Sequence, residues 1–482
     1  MNNLPFELDR GQMLAVNSTA ERLVVRSTPG SGKTVILQEI AARHAHERVL
    51  YITFSKAMAD EARLRLPPTV DAMTFHAMSF RALRSEYGHK FKGSEASPTD
   101  VAKLFGIDRD HMEIVYMAMA GLANFLHGAT DVPVMAHLPP IATEYGDGDR
   151  IKILQLMRRI WARMSDINDP MPISHDSGVK LLQTRMHSIK YDVILLDEYQ
   201  DCSVCMLKLV DQQSARIVLV GDPYQSIHGY RGAVGDFEGH FRAEEVVALR
   251  RSYRFGEFIA QAAKSIINEP GGTQINIVGA NPDPGVFARS DLIGFTGHKT
   301  TLFRTNAGLF EHVDDHLTNH PNSKVCLIGG AGGYNTHDLL QMFNFATGNR
   351  RWVKDPFLLT FKTMGEVEEY AKTHGLNDVQ SRIRLVRRYG NNLPLLIRRI
   401  ESASITDPEQ ADIHAGNVHK AKGMEFDAVE LGNDFPAIRD DSGDVNEEER
   451  NVLYVAATRA QHILLANDLL DDLHANNLAT AE

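Results

Sequence analysis

The stretch "VVRSTPGSGKTVIL" (residues 24–37) decides the fold. A short apolar run leads into a glycine-rich turn, and a helical pattern leaves it. Gly30 and Gly32 let backbone N–H groups turn toward an anion, and the helix that follows points the positive end of its dipole there. At this spacing Lys33 reaches the β- and γ-phosphates of a nucleotide, the Thr34 hydroxyl holds Mg²⁺, and Ser31 and Val35 complete the phosphate-wrapping loop. The strict pattern has glycine at position 27, where this chain has Ser27. Gly30-Ser31-Gly32-Lys33-Thr34 is intact.

A second stretch, "VILLDEYQDCS" (193–203), reads as the partner of the first. An apolar run of buried-strand type stops at two adjacent carboxylates. An ATPase with such a phosphate loop needs a carboxylate on a neighbouring strand end for its metal, and Asp197 fits. It also needs a base to orient the attacking water, and Glu198 fits. Gln200 is placed to sense the γ-phosphate from the same cleft.

The rest of the chain is organised around these stretches. At 482 residues it is too long for one core, and two to four domains are expected. With 43% apolar and 23% charged residues, the composition is that of a globular protein. A net charge of −11 argues against a surface that coats nucleic acid all over, while leaving room for a local basic groove. Cys202-x-x-Cys205 has no second pair to complete a zinc site, and with Cys326 it reads as buried thiols of a reducing compartment. No apolar run approaches a membrane span and the N-terminus is not of signal-peptide type, so a cytoplasmic, nucleoid-associated protein is expected, nuclear in a nucleated cell.

Apolar strand-like runs come in two sets: 22–27, 48–54, 192–197 and 216–222, then 300–305, 324–329, 426–431 and 462–467. Two parallel α/β cores are predicted. The first takes 1–90 and 189–272, with a helical, Met-rich insertion over 91–188. The second takes 273–330 and 413–482, with a short helical insertion over 331–412. "NEPGGTQ" (268–274) reads as the hinge.

Further motifs follow in order along nearly the whole chain: "LDRGQMLAV" (8–16), "TFSKAMADEARLRL" (53–66), "DAMTFHAMS" (71–79), "DEYQD" (197–201), "VGDPYQSIHGYRGA" (220–233), "LRRSYRF" (249–255), "NVHKAKGMEFDAVEL" (417–431) and "EEERNVLYVAATRA" (447–460). Together they resemble the UvrD-like superfamily 1 DNA helicases. Ser252 stands where that family usually has Asn, and Asn417 where it has Thr. "TLFRTNAGLFEHV" (301–313), "FKTMGEVEEYA" (361–371) and "IRLVRRYGNNLPLLIRRI" (383–400) look like the F-box DNA helicase branch. The motifs begin too near the N-terminus for an F-box, so ubiquitin-ligase recruitment is not carried over.

The resemblance implies two RecA-like P-loop cores, ATP and Mg²⁺ between them, and 3′→5′ movement on single-stranded DNA. It implies that Gln12 reads the adenine edge, Tyr253 stacks on the adenine, and Gly423 and Glu425 face the ribose or γ-phosphate. Gln225 senses the γ-phosphate. Arg254, on the edge of the first core, and Arg459, on the second, approach the phosphates from opposite cores. Tyr230 stacks on a DNA base and is flanked by Arg231. His228 stands where another aromatic is usual. Phe54, Lys56, Thr74, His76 and His419 are candidate contacts to the strand.

Six arginines at 382, 384, 387, 388, 398 and 399 form either a duplex-binding patch or a solvated helix face; "LMRRIWARM" (156–164) is a weaker patch of the same kind. The expected partners are single-stranded DNA, single-strand/duplex junctions and recombination or repair proteins, with no membrane and a monomeric state. Two alternatives carry different outputs. One is a translocase that strips proteins such as recombinase filaments from DNA. The other is the ATPase subunit of a nuclease or defence complex; no nuclease-like constellation follows the last motif.

Overall fold

Each of the eight apolar runs forms a strand buried over most of its length. The computed structural model describes residues 7–91, 96–229, 232–268, 275–288, 299–359, 361–373, 376–439, 443–470 and 472–473. Contacts divide the chain at Arg250/Arg251 into two units.

In the first unit the strands are β1 (Arg22–Arg26), β2 (Val49–Thr53), β3 (Val70–Thr74), β4 (Val193–Asp197), β5 (Arg216–Gly221) and β6 (Glu245–Ala248). They form a parallel sheet in the order β3-β2-β4-β5-β1-β6. The sequence reading missed the two edge strands, and the reason is physical. β3 and β6 each turn residues to solvent, which breaks the continuous apolar run of a strand covered on both faces. Helices α1 (Arg10–Asn17), α2 (Lys33–Arg43), α3 (Lys56–Arg65) and α4 (Phe75–Tyr87) lead to the insertion, which contains α5 (Pro98–Phe105), α6 (Met112–His127), α7 (Asp147–Ser165) and α8 (His175–Thr184). α8 packs on α4 and on α9 (Val204–Asp211), so it ties the insertion to the core. The "LMRRIWARM" cations serve the insertion's own fold. Arg158 Nε donates to Pro133 O at 3.0 Å, Arg163 pairs with Asp169 at 2.8 Å, and Arg159 lies over the Phe105 ring.

The second unit opens with a two-stranded sheet, β7 (Arg251–Ser252) and β8 (Val278–Gly279). Its main sheet holds β9 (Gly285–Ala288), β10 (Thr300–Phe303), β11 (Val325–Leu327), β12 (Ser404–Ile405), β13 (Ile413–Asn417), β14 (Phe426–Leu431) and β15 (Ala460–Ala466). The order is β12-β11-β13-β10-β14-β15-β9, again parallel. Residues 251–272 were assigned to the first core from sequence, and the contacts correct this. α10 (Glu257–Ile267) buries its apolar face against α18 (Glu447–Ala457) and against β9 and β15. Of the proposed hinge (268–274), residues 269–274 lie outside the described residues.

Among the described residues, the helices of the second insertion share a buried core with the main sheet. Leu339 and Met342 of α12 (Thr336–Ala346), Ile383 and Leu385 of α15 (Asn377–Tyr389) and Leu396 and Ile400 of α16 (Leu393–Ala403) join one buried cluster with Val325 and Leu327 of β11 and Ile413 and Ala415 of β13. Leu396→Ala is therefore expected to cost about 2–5 kcal/mol, and hydrogen exchange should quicken in Val325–Leu327 as well as in the helices. Loss of protection confined to the helices would show a separable insertion.

Candidate active site

Parallel pairing brings the ends of β1, β4 and β5 side by side, with Arg26 opposite Gly221 and Asp197 opposite Val220. Ser27, in the position the strict pattern gives to glycine, fastens the start of the loop: its N–H and its hydroxyl both donate to Gly221 O at 2.8 Å. Gly30 and Gly32 follow at φ +69° and +82°, the left-handed region that favours glycine. A Cβ on Gly32 would sit 2.5 Å from Gln12 Nε2. α2 then begins at Lys33, so its free N–H groups face the loop.

Two hydroxyls within this loop, Thr28 Oγ1 and Ser31 Oγ, are buried without a hydrogen-bond partner. Together with the exposed Thr34 beside them, they suit a phosphate group with a divalent cation. Thr34 and Asp197 are the residues expected from sequence to hold that cation.

Lys33 Nζ lies 2.7 Å from both carboxylate oxygens of Glu198. Glu198 itself stands at φ +56°, a conformation costing a non-glycine residue about 1–3 kcal/mol. Tyr51 donates its hydroxyl to Asp197 Oδ2 at 2.6 Å, and Glu198 N–H donates to Oδ1 at 3.0 Å. Burial pushes the Asp197 carboxyl up to about 6, helped by the like charge of Glu198. Burial also lifts Asp222 to about 6. Desolvation alone would pull Lys33 down, but Glu198 and Asp197 outweigh it and hold Lys33 above its ordinary value.

Gln200 joins the pieces, donating to Glu198 Oε2 at 2.6 Å and accepting from Asp222 N at 3.1 Å. Gln225 donates to Asp222 Oδ2 at 2.7 Å. Gln12 is buried and turned inward. Its Oε1 accepts from Asp9 N and its Nε2 donates to Ser31 O at 3.1 Å, so it braces the phosphate loop. Tyr51 and Asp222 were not singled out from sequence. The signal was present: a lone tyrosine in an aliphatic strand, and a second apolar run ending in an acid.

In the second unit, Arg254, Glu425 and Arg459 come together. Arg254 pairs with Glu425 Oε1 at 2.7 Å and donates to Thr458 O at 2.9 Å. Arg459, only 1% exposed, donates to Met424 O at 3.2 Å and Val455 O at 3.0 Å. Burial would raise the Glu425 carboxyl, but Arg254 wins and holds it below its ordinary value. Arg254 is thus not on the edge of the first core: both arginines belong to one unit because β7 and α10 pack there. Gly423, two residues before Glu425, stands at φ +86°. Tyr253 is 39% exposed, and Asn281, which no motif flagged, donates to the carbonyls of Tyr253 and Arg254.

The candidate strand contacts are spread over loops at the same sheet edge and one helix of the second unit. Phe54 after β2 stacks on His228, ring centroids 5.5 Å apart and planes 10° apart. Lys56 is exposed at the start of α3. Thr74 accepts from Ala77 N at 3.1 Å as the cap of α4, and His76 Nε2 meets Asp176 Oδ1 at 2.8 Å. His419 lies on α17 (Val418–Ala421), capped by Asn417. Tyr230 and Arg231 lie outside the described residues. The arginine-rich stretch is mostly neutralised: Arg382 pairs with Asp338, Arg387 with Glu368, Arg388 with Glu311 and Arg399 with Asp314. That pattern favours a helix face that stabilises its own fold over a duplex patch.

A carboxyl with a raised folded pKa takes up its proton before the unfolded chain does. Native stability then falls as pH rises from about 4 to about 6. Asp197→Asn removes that loss. In nucleotide- and metal-free protein its Tm should exceed wild type by roughly 2–6 °C at pH ~7.5 and converge with it near pH ~4. Equal Tm values at both pH values would show that burying this charge costs nothing.

Family models match three parts of the chain: an AAA domain over 12–231, a UvrD-like helicase C-terminal domain over 346–467, and a viral superfamily 1 RNA helicase core over 156–316. Among curated proteins, the F-box DNA helicase 1 of Gallus gallus is 28% identical over 98% of this chain and 49% of its own length. The F-box DNA helicase protein 1 of Schizosaccharomyces pombe is 27% identical over 94% and 56%. The ATP-dependent DNA helicase PcrA of Staphylococcus epidermidis is 24% identical over 96% and 83%. The chain spans about half the length of the F-box relatives it matches. With a phosphate loop and paired carboxylates in the first unit and an arginine–glutamate cluster in the second, the chain is similar to the UvrD-like superfamily 1 helicases along nearly its whole length.

Proposed function

We propose that the chain is an ATP-driven DNA motor that moves 3′→5′ on single-stranded DNA and unwinds duplex, with ATP and Mg²⁺ bound at the phosphate loop of the first RecA-like core. The observation that carries this reading is the Lys33–Glu198 pair beside Asp197, on a loop whose buried hydroxyls lack partners. Polarity and DNA as the substrate rest on the family likeness. Thr34 and Asp197 would hold Mg²⁺, which when bound would supply charge neutralisation at the phosphates.

The residues divide the work as follows. Lys33 leaves Glu198 for the β- and γ-phosphates, and Glu198, so released, orients and deprotonates the attacking water. Thr34 and Asp197 hold the cation. Arg254 and Arg459 supply positive charge to the γ-phosphate in the transition state. Glu425 neutralises Arg254 until then. Gln200 and Gln225 link the γ-phosphate position to Asp222 and so to the loop bearing His228. Phe54, His228 and Tyr230 grip bases by stacking, which tolerates any sequence.

Two outcomes test this. ATP hydrolysis should rise strongly with single-stranded DNA and vanish in Lys33→Ala; hydrolysis indifferent to DNA would overturn the coupling. Glu198→Gln removes the competitor for Lys33 together with the base. Turnover should fall about 10²–10⁴-fold while ATP binding, followed by a fluorescent analogue, tightens. Weaker binding would mean that the Lys33–Glu198 pair does not oppose the nucleotide.

A further inference from the structure

The chain has two tryptophans. Trp161 is buried in the first insertion, its ring edge-on to Phe125 at 5.1 Å. Trp352, in the second insertion, is 59% exposed. An indole presented in water offers its ring face to a base, provided that the backbone presenting it is held.

Here the backbone is fastened on both sides. Trp352 N–H donates to Asn349 O and Val353 N–H to Arg350 O, both at 3.0 Å, and Val353 is buried. The buried Gln341 uses one oxygen to accept both Lys354 N at 2.6 Å and Asp355 N at 2.7 Å. Arg350 lies over the Phe345 ring and donates to Phe361 O and Lys362 O. Arg350 is thereby committed to the fold. Arg351, 5.4 Å over the indole, and Lys354 remain exposed.

The surrounding charge decides what the indole meets. "RRWVKDPFLLTFK" (350–362) carries four cations against one acid, in a chain of net charge −11. The acid, Asp355, caps its own turn by accepting from Phe357 N at 2.9 Å. The arginines of α15 and α16 mostly have carboxylate partners, whereas no ion pair involves Arg351 or Lys354 among the described residues. An exposed indole beside unneutralised cations suits a base with its phosphates.

We propose that Trp352, with Arg351 and Lys354, is a stacking platform for unpaired nucleotides on the second insertion, additional to the candidate contacts around Phe54 and His228. The indole covers a base face and the two cations take the adjoining phosphates. The platform rests on the DNA-motor reading above. It gives that motor a grip on unpaired bases outside the sheet-edge loops of the first unit.

The test uses the full chain carrying Trp161→Phe, in which Trp352 is the only tryptophan. An end-labelled oligo-dT reports binding by anisotropy while indole emission is read in parallel. The expected result is saturable quenching by oligo-dT, little by blunt duplex, and about tenfold weaker oligo-dT binding in Trp352→Ala. If Trp161→Phe does not fold, the same signal is read as the difference between wild type and Trp352→Phe. Unchanged emission at full oligo-dT occupancy, or equal quenching by blunt duplex, overturns the platform. DNA-stimulated ATP hydrolysis of the wild-type chain separates the two failures. Stimulation with a silent Trp352 removes the platform alone, whereas no DNA binding or stimulation removes the motor reading and the platform with it.

Discussion

A parallel sheet delivers the C-terminal end of every strand to one edge, and the chemistry of the first unit depends on that. β1, β5 and β4 are adjacent and in register, so the phosphate loop, Asp222 and Asp197 emerge within one small region although they are far apart in sequence. The strands beneath are almost wholly buried, and that is why the charges at their ends are costly. Asp197 and Asp222 are both raised to about 6 by desolvation. The cluster persists because Lys33 neutralises it from the helix side and because Tyr51, Gln200 and Gln225 supply hydrogen bonds that the apolar sheet cannot.

The same bonds give the site an outlet. Glu198 binds Lys33 and Gln200, Gln200 reaches Asp222, and Asp222 holds Gln225. His228 lies three residues further on, against Phe54. These bonds run in series from Glu198 to the loop bearing His228, the physical route that the proposed coupling uses. In the second unit Glu425 plays the matching part, pairing with Arg254 and orienting it, while the carbonyls of Met424 and Val455 hold the Arg459 side chain.

Both insertions are integrated with their sheets. α8 packs on α4 and α9 in the first, and the helices of the second share a buried cluster with β11 and β13. Cations that look like nucleic-acid patches in a linear reading turn out to be mostly internal ties. Arg351 and Lys354, outside those patches, lie beside Trp352 on a backbone that is fastened, and no ion pair involves them among the described residues.

The fold class, the eight buried strands, the phosphate loop and the paired carboxylates were legible from the residues alone. Each is written in local pattern: a continuous apolar run, glycines where φ must be positive, an acid where a run stops. The family likeness followed from motif order. Placement was not legible. Edge strands lack the continuous run, so β3 and β6 escaped notice. Arg254 sits in a motif beside the first core's last strand, yet it joins the second unit because α10 buries its apolar face on α18. Gln12 turns toward Ser31, four arginines find acids and Trp352 finds none of the core. Those outcomes depend on which surfaces meet across hundreds of residues, and no local period encodes that.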